Sequence, residues 1–271
     1  MASVVPMTRA AHPRDHLVQA YTDEAFLARV VADYIGTALG RGDGAFVIAT
    51  PEHSRTFTAQ LEGNGLDVAA ALAAGQLLVL DAERALARFM TEGRPDRAAF
   101  LGIVAAALDQ VRASGHPRIT LYGEMVDLLW QERLEAALEL EALWNEVLTD
   151  ERLSLLCAYR IDELGRHADG VLRRVTHCHS RLMPAEDPER FADAVDRAYA
   201  EVFGIAGDVA TLRDLMISRL APGPALPAAH AALFALDDMP PLLANDIRVR
   251  ARRHYRRPRA AAPSETQISG G

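Results

Sequence analysis

The chain contains no lysine: all 29 of its basic residues are arginines. That absence removes several function classes at once, because a Schiff-base enzyme, a P-loop phosphate site and a protein kinase each need a lysine amine at a defined place. Cysteine is nearly as scarce. Cys157 and Cys178 are the only two in 271 residues, too few for a disulfide framework. No run reaches the roughly 18 apolar residues that a membrane-spanning helix needs, and the opening MASVVPMTRAAHPRD lacks the apolar segment of a secretory signal. A soluble, cytoplasmic protein with no membrane partner is expected. Acidic residues number 37, so the net charge is −8, and a general nucleic-acid binder is not expected.

Half of the chain is hydrophobic, enough for a sizeable core. Apolar residues recur at three and four from Phe26 to Leu39, an amphipathic helix with Thr22 as its expected cap. The GRGDG stretch at Gly40–Gly44 precedes the strand Ala45–Ala49, whereas a phosphate-cradling loop follows a strand and opens a helix, so it reads as a turn. Where a cradle would stand after Ala49, the sequence is TPEHSRTF, without glycine. Thr50 can cap there, Pro51 suits the first helical position, and His53 and Arg55 lie in the first turns, where an anion could be held weakly. Leu77–Leu80 reads as a second strand, closed by Asp81 at the edge where ligands sit in parallel sheets, although Asp81 could equally cap the next helix. A further helix is expected after Pro95 and Asp96.

The stretch from Arg118 to Val147 reads as a strand, a turn at Gly123 and one long helix, since no glycine or proline follows Gly123 within it. Advancing 100° per residue places Val126, Trp130, Leu134, Ala137, Trp144 and Leu148 on one apolar seam, and Glu141 falls inside it. A carboxylate on a buried seam must find a cation or stay protonated. An internal pair with an arginine is the ordinary outcome and a ligand-facing acid the functional one. Leu153–Tyr159 is apolar without alternation, as in a strand buried on both faces, with Cys157 as core. If VLRRVTHCHS is extended, His177 and His179 share a face; two such histidines can share a metal, but no third ligand stands at a recognised spacing and no metal is expected. The whole pattern from Asp15 to about Ala185 reads α-β-α-β-α-β-α-β, which predicts an α/β fold with a mostly parallel sheet and helices on both faces. Beyond Pro184 only helical signals remain, with a linker-like PGPALP at 222–227. Seven arginines then fall between Arg248 and Arg259 with no acid among them, expected to meet acidic surface of this chain or of a partner.

Taken together, HLVQAY at 16–21, IATPEH at 48–53, GQLLVLDA at 75–82, GEMVDLLW at 123–130, LEALWN at 140–145, LCAY at 156–159 and CHS at 178–180 resemble the MEDS domain family. The resemblance covers about residues 15–185. It implies a fold related to RecA/KaiC ATPases whose phosphate loop has been lost, used as a sensory input module of signalling proteins. Residues 1–14 would then be a flexible tail, 186–250 a helical extension and 251–271 an arginine-rich disordered tail. The expected function is a non-enzymatic sensor with no cofactor, binding an unidentified small molecule and relaying to a histidine kinase or transcription regulator on a separate chain, with a homodimer conceivable. Candidate ligand contacts are Thr50, His53, Arg55, Asp81, Glu124, Trp130, Glu141, Trp144, Tyr159, His177 and His179; none is expected to be catalytic. A residual nucleotide-binding enzyme with Glu124 as base is the alternative, weakened by the missing backbone cradle, and a dimerising scaffold is a third.

Overall fold

The computed structural model describes residues 12–165, 168–204 and 209–256. Its first element corrects the expected helix-first alternation. HLVQAY is a strand, β1 (His16–Tyr21), buried along its whole length. Its polar residues disguise it: the His16 and Gln19 side chains find partners inside the fold, and the Gln19 Nε2 donates to the carbonyls of Ala20 and Pro184 at 2.8 and 3.0 Å. Asp23, rather than Thr22, then caps α1 (Glu24–Gly40) by accepting from the Phe26 amide. Gly42, at φ +80°, turns the chain into β2 (Gly44–Ala49), as expected for the glycine-rich stretch.

Next come α2 (Pro51–Gly63), α3 (Val68–Ala73) and β3 (Leu77–Asp81). They are followed by α4 (Ala82–Phe89), a small hairpin of β4 (Met90–Thr91) and β5 (Arg94–Pro95), α5 (Arg97–Ala113) and β6 (Ile119–Gly123). The expected long helix after β6 is two helices, α6 (Asp127–Trp130) and α7 (Leu134–Val147), broken where Arg133 leaves helical geometry at φ −138° and ψ 60°. No glycine or proline causes the break. The Asp127 carboxylate, fixed by Trp130, Tyr21 and the Arg160 amide, anchors the short helix separately from the seam of α7. β7 (Leu153–Arg160), α8 (Ala168–His177) and β8 (Arg181–Leu182) complete the sheet. The segment with His177 is therefore helical, not extended.

All six strands of the main sheet run parallel in the order β3-β2-β6-β7-β1-β8. From β1 to β3 the chain moves one way, and its helices α1 to α3 pack on one face with Leu17, Tyr21, Val47, Tyr122 and Leu156. From β3 to β8 it moves back, so right-handed crossovers place α4 to α8 on the opposite face with Val18, Phe46, Leu121 and Cys157. Neighbouring strands whose connections leave to opposite faces part at their carboxyl ends. This happens between β2 and β6 and again between β7 and β1, and such crevices are where parallel α/β proteins receive ligands.

The extension comprises α9 (Pro188–Phe203), capped by Asp187, then α10 (Val209–Ile217), α11 (Ala228–Ala235) and α12 (Pro241–Arg256). PGPALP is no loose linker: the Ala225 amide donates to the Ser180 carbonyl at 2.8 Å and its carbonyl accepts from the Leu182 amide at 2.9 Å. α12 also runs past the expected boundary at 250, because its arginines meet acids of this chain: Arg250, Arg253 and His254 converge on Glu201, Arg256 reaches Asp162, and Arg252 donates to the Leu164 carbonyl. Residues 257–271 and 1–11, where tails were expected, lie outside the described residues. The buried Tyr199 hydroxyl donates to the Ala232 carbonyl at 2.7 Å, pinning α11 to α9. Tyr199→Phe removes that hydrogen bond and is expected to cost about 1 kcal/mol in urea unfolding. No helix among the described residues is long and apolar enough to cross a membrane.

Candidate functional site

The two crevices hold one polar network. Glu124 follows β6 directly and is buried; its Oε1 accepts from the Thr50 amide at 2.5 Å and its Oε2 from His53 Nδ1 at 2.7 Å and the Tyr122 hydroxyl at 2.9 Å. The other nitrogen of His53, Nε2, meets Glu24 Oε2 at 2.7 Å, and Glu24 pairs with Arg160. Carboxylates only accept, so both imidazole nitrogens donate and His53 is held as an imidazolium. Its pKa is accordingly raised, chiefly by the hydrogen bond to Glu124. At the other crevice Asp127 accepts from the Tyr21 hydroxyl at 2.9 Å, the Trp130 indole at 2.8 Å and the Arg160 amide at 2.7 Å. Burial nonetheless pushes the Asp127 carboxyl upward, and burial beside Asp127 raises the Tyr21 phenol strongly.

These positions follow from local sequence. Thr50 caps α2 with Pro51 behind it, which points the first amides of that helix and His53 toward the end of β6. Neither the turn after β1, Tyr21–Thr22–Asp23–Glu24, nor the one after β2 contains a glycine, so no backbone loop closes around a phosphate there.

A second cluster lies inside the core, on the face of the sheet covered by α7. Glu141 is in the seam, as its phase predicted, and fully buried, but its partners are not arginines. Its Oε1 accepts from the Tyr159 hydroxyl at 2.6 Å and stands 3.4 Å from His179 Nε2; its Oε2 is 3.2 Å from His16 Nε2 and 3.5 Å from Cys157 Sγ. Burial alone would raise the Glu141 carboxyl, yet the facing His179 and His16 bring it well below the usual carboxylate range. Burial and the neighbouring His16 lower the pKa of His179, and burial beside Glu141 raises the Cys157 thiol.

The expected contacts thus divide. Thr50, His53, Glu124 and Trp130 meet at the carboxyl edge, and Glu141, Tyr159 and His179 meet in the buried cluster. Trp144 is core, edge-on to Phe100 at 5.0 Å. Asp81 caps α4 by accepting from the Arg84 amide at 3.1 Å, away from both crevices. Arg55 is exposed outside the network, and His177 sits on the exposed end of α8, its Nδ1 donating to the Arg173 carbonyl. Sequence reasoning missed Tyr21, Glu24, Tyr122, Asp127, Arg160, His16 and Asn145. Recognising β1 would have exposed Tyr21 and Glu24 as the residues at its carboxyl end.

Fold and site together define a parallel α/β domain with a charged, glycine-poor carboxyl edge and a helical extension. The chain belongs to the MEDS family, described as the MEthanogen/methylotroph, DcmR Sensory domain, whose model matches residues 15–180. That span holds the residues of both clusters. A search of curated proteins finds no match to the chain.

Proposed function

We propose that this chain is a non-enzymatic sensory domain of prokaryotic signal transduction, which binds a small molecule at the carboxyl edge of its sheet and passes a change of shape through its helices to a separate output protein. The observation that carries this reading is a cavity of about 70 Å³ beside the β7/β1 crevice. One wall is Tyr21 and Thr22 at the end of β1 with Phe26 of α1; the other is Phe191 of α9 and Tyr255 of α12. An occupant therefore touches the family domain and the extension together, and differential contact with two bodies is what couples binding to movement. Asp162, Glu163 and Glu186 also line it, which favours a hydrogen-bond-donating or cationic ligand of only a few heavy atoms, since the volume is well below the roughly 300 Å³ of a drug-sized pocket.

Glu124 as a catalytic base for phosphate chemistry fits less well, since all its described partners are hydrogen-bond donors of the protein and no glycine loop stands beside it. Native mass spectrometry of the full-length protein with and without ATP and magnesium tests the reading. A retained small molecule that is lost in Tyr255→Ala supports sensing. ATP-dependent mass with turnover would replace it by the enzyme, and a dimer without ligand by a scaffold.

A further inference from the structure

The buried cluster has the composition and geometry of a metal site. His16 comes from β1, Glu141 from α7, Cys157 from β7 and His179 from the turn after α8; each offers one ligand atom, all within 4.8 Å of one another and all buried. Tetrahedral coordination by N, O and S at about 2.0–2.3 Å separates neighbouring ligands by roughly 3.3–3.8 Å. The separations here are 3.2 Å for His16 Nε2 to Glu141 Oε2, and 3.5 Å from Cys157 Sγ to each of those atoms.

Proton placement gives an independent argument. Asn145 Nδ2 donates to the Cys178 carbonyl at 2.9 Å, which fixes the Asn145 oxygen toward His16 Nδ1, also at 2.9 Å. His16 Nδ1 must therefore carry a proton. His179 Nδ1 faces the Val175 carbonyl at 2.7 Å and must carry one too. Each neutral ring then turns the lone pair of its Nε2 into the cluster, where the carboxylate and the thiol wait. His179 Nε2 is buried without a hydrogen-bond partner. Protonating one Nε2 still leaves the other lone pair against the carboxylate, and protonating both would bring two cations together at a ring separation of 4.0 Å in the core. A metal ion removes the conflict.

The outer contacts match as well. Metal-bound histidines commonly donate their second nitrogen to a carbonyl or amide oxygen, and ligating carboxylates accept a further hydrogen bond; His16, His179 and Glu141, through Tyr159, do so here.

We propose that His16 Nε2, Glu141 Oε2, Cys157 Sγ and His179 Nε2 bind one divalent ion of the zinc class in a closed structural site that ties β1, β7, α7 and the α8–β8 turn together. On binding, the Cys157 thiol releases its proton to solvent and the sulfur forms the bond to the metal. The thiolate and carboxylate then balance the two positive charges, and the two imidazoles remain neutral. A mixed sulfur, nitrogen and oxygen set favours zinc over magnesium or calcium, and four protein ligands leave no open position for catalysis. The site is separate from the carboxyl edge and does not depend on the sensory reading.

The test uses the full chain under reducing conditions, with cobalt(II) as the probe and elemental analysis for zinc. One equivalent of zinc is expected, together with a thiolate-to-cobalt charge-transfer band and the strong visible bands of four-coordinate cobalt. Cys157→Ser abolishes the charge-transfer band and Cys178→Ser preserves it. Asn145→Ala, at a residue exposed enough to spare the core, weakens cobalt binding by about 10–100-fold through the released His16 ring. A folded wild-type protein that retains neither zinc nor cobalt overturns the proposal. So does a charge-transfer band that survives Cys157→Ser and disappears in Cys178→Ser.

Discussion

In the zinc-loaded protein Glu141→Gln is expected to lower the unfolding free energy by about 3–5 kcal/mol, the usual loss when a buried charge is left without its partner, because the carboxylate balances the ion. The amide keeps an oxygen for the Tyr159 hydroxyl, so the loss reports the charge removed from the cluster with His16 and His179 rather than a cavity. For a chain of this size each kcal/mol moves the melting temperature by about 2–4 °C, and equilibrium urea unfolding beside differential scanning calorimetry measures both. A change below about 1 kcal/mol would mean that the carboxyl is already protonated and the histidines are held by something else. Zinc deepens the contrast. Added metal should raise the melting temperature of the wild type and leave that of the variant nearly unchanged.

At the carboxyl edge the expected effect depends on pH. Glu124→Gln withdraws a charged acceptor from the Thr50 amide, His53 and Tyr122, and should cost about 2–3 kcal/mol at pH 6. The native pKa of His53 is raised above its unfolded value of about 6.5. Its contribution is therefore complete below that unfolded value and is lost as pH rises through the native one. Wild-type stability should fall across that interval. In Glu124→Gln the slope should shrink, with Glu24 left as the direct partner of the ring, and His53→Gln should remove it. Unfolding curves at closely spaced pH values, together with NMR titration of the His53 ring, give the answer. An unshifted His53 resonance would contradict the network.

What the sequence reveals about the fold follows from how local each cause is. Glu141 is legible because helical phase is a property of neighbours on one helix, and its place in the seam requires no tertiary knowledge. The partners of Glu141 are illegible for the opposite reason: His16 lies 125 residues before it and His179 lies 38 after it, and nothing local links them. Arginine was the expected cation because arginine is the only long basic side chain available. The break between α6 and α7 is equally hidden, since it comes from the bonds that Asp127 makes to Tyr21 and to the Arg160 amide, on other elements. Strand β1 escapes hydropathy because His16 and Gln19 are polar residues with buried partners.

At the edge, Thr50, His53 and Glu124 were readable once a parallel sheet was inferred, because strand ends in such sheets converge. Arg55 and Asp81 satisfied the same rule and still fall outside, the first because it points to solvent and the second because β3 is the outermost strand. The arginine-rich end illustrates composition misread as disorder. Through Arg256 it is a helix, since acids at Glu201, Asp162, Asp237 and Asp246 neutralise it.

The place of β1 in the sheet bears on how the chain is made. It precedes the other strands of the sheet in the chain, yet its hydrogen-bonding neighbours β7 and β8 are the last strands to follow. At about 5–20 residues per second the 161 residues from Tyr21 to Leu182 take roughly 8–32 s, during which the strand has both edges open to other nascent chains. Closure of the sheet around β1 therefore waits until its last two strands have been made. Cells producing this protein at high rate should depend on a chaperone that shelters β1 until β7 and β8 arrive.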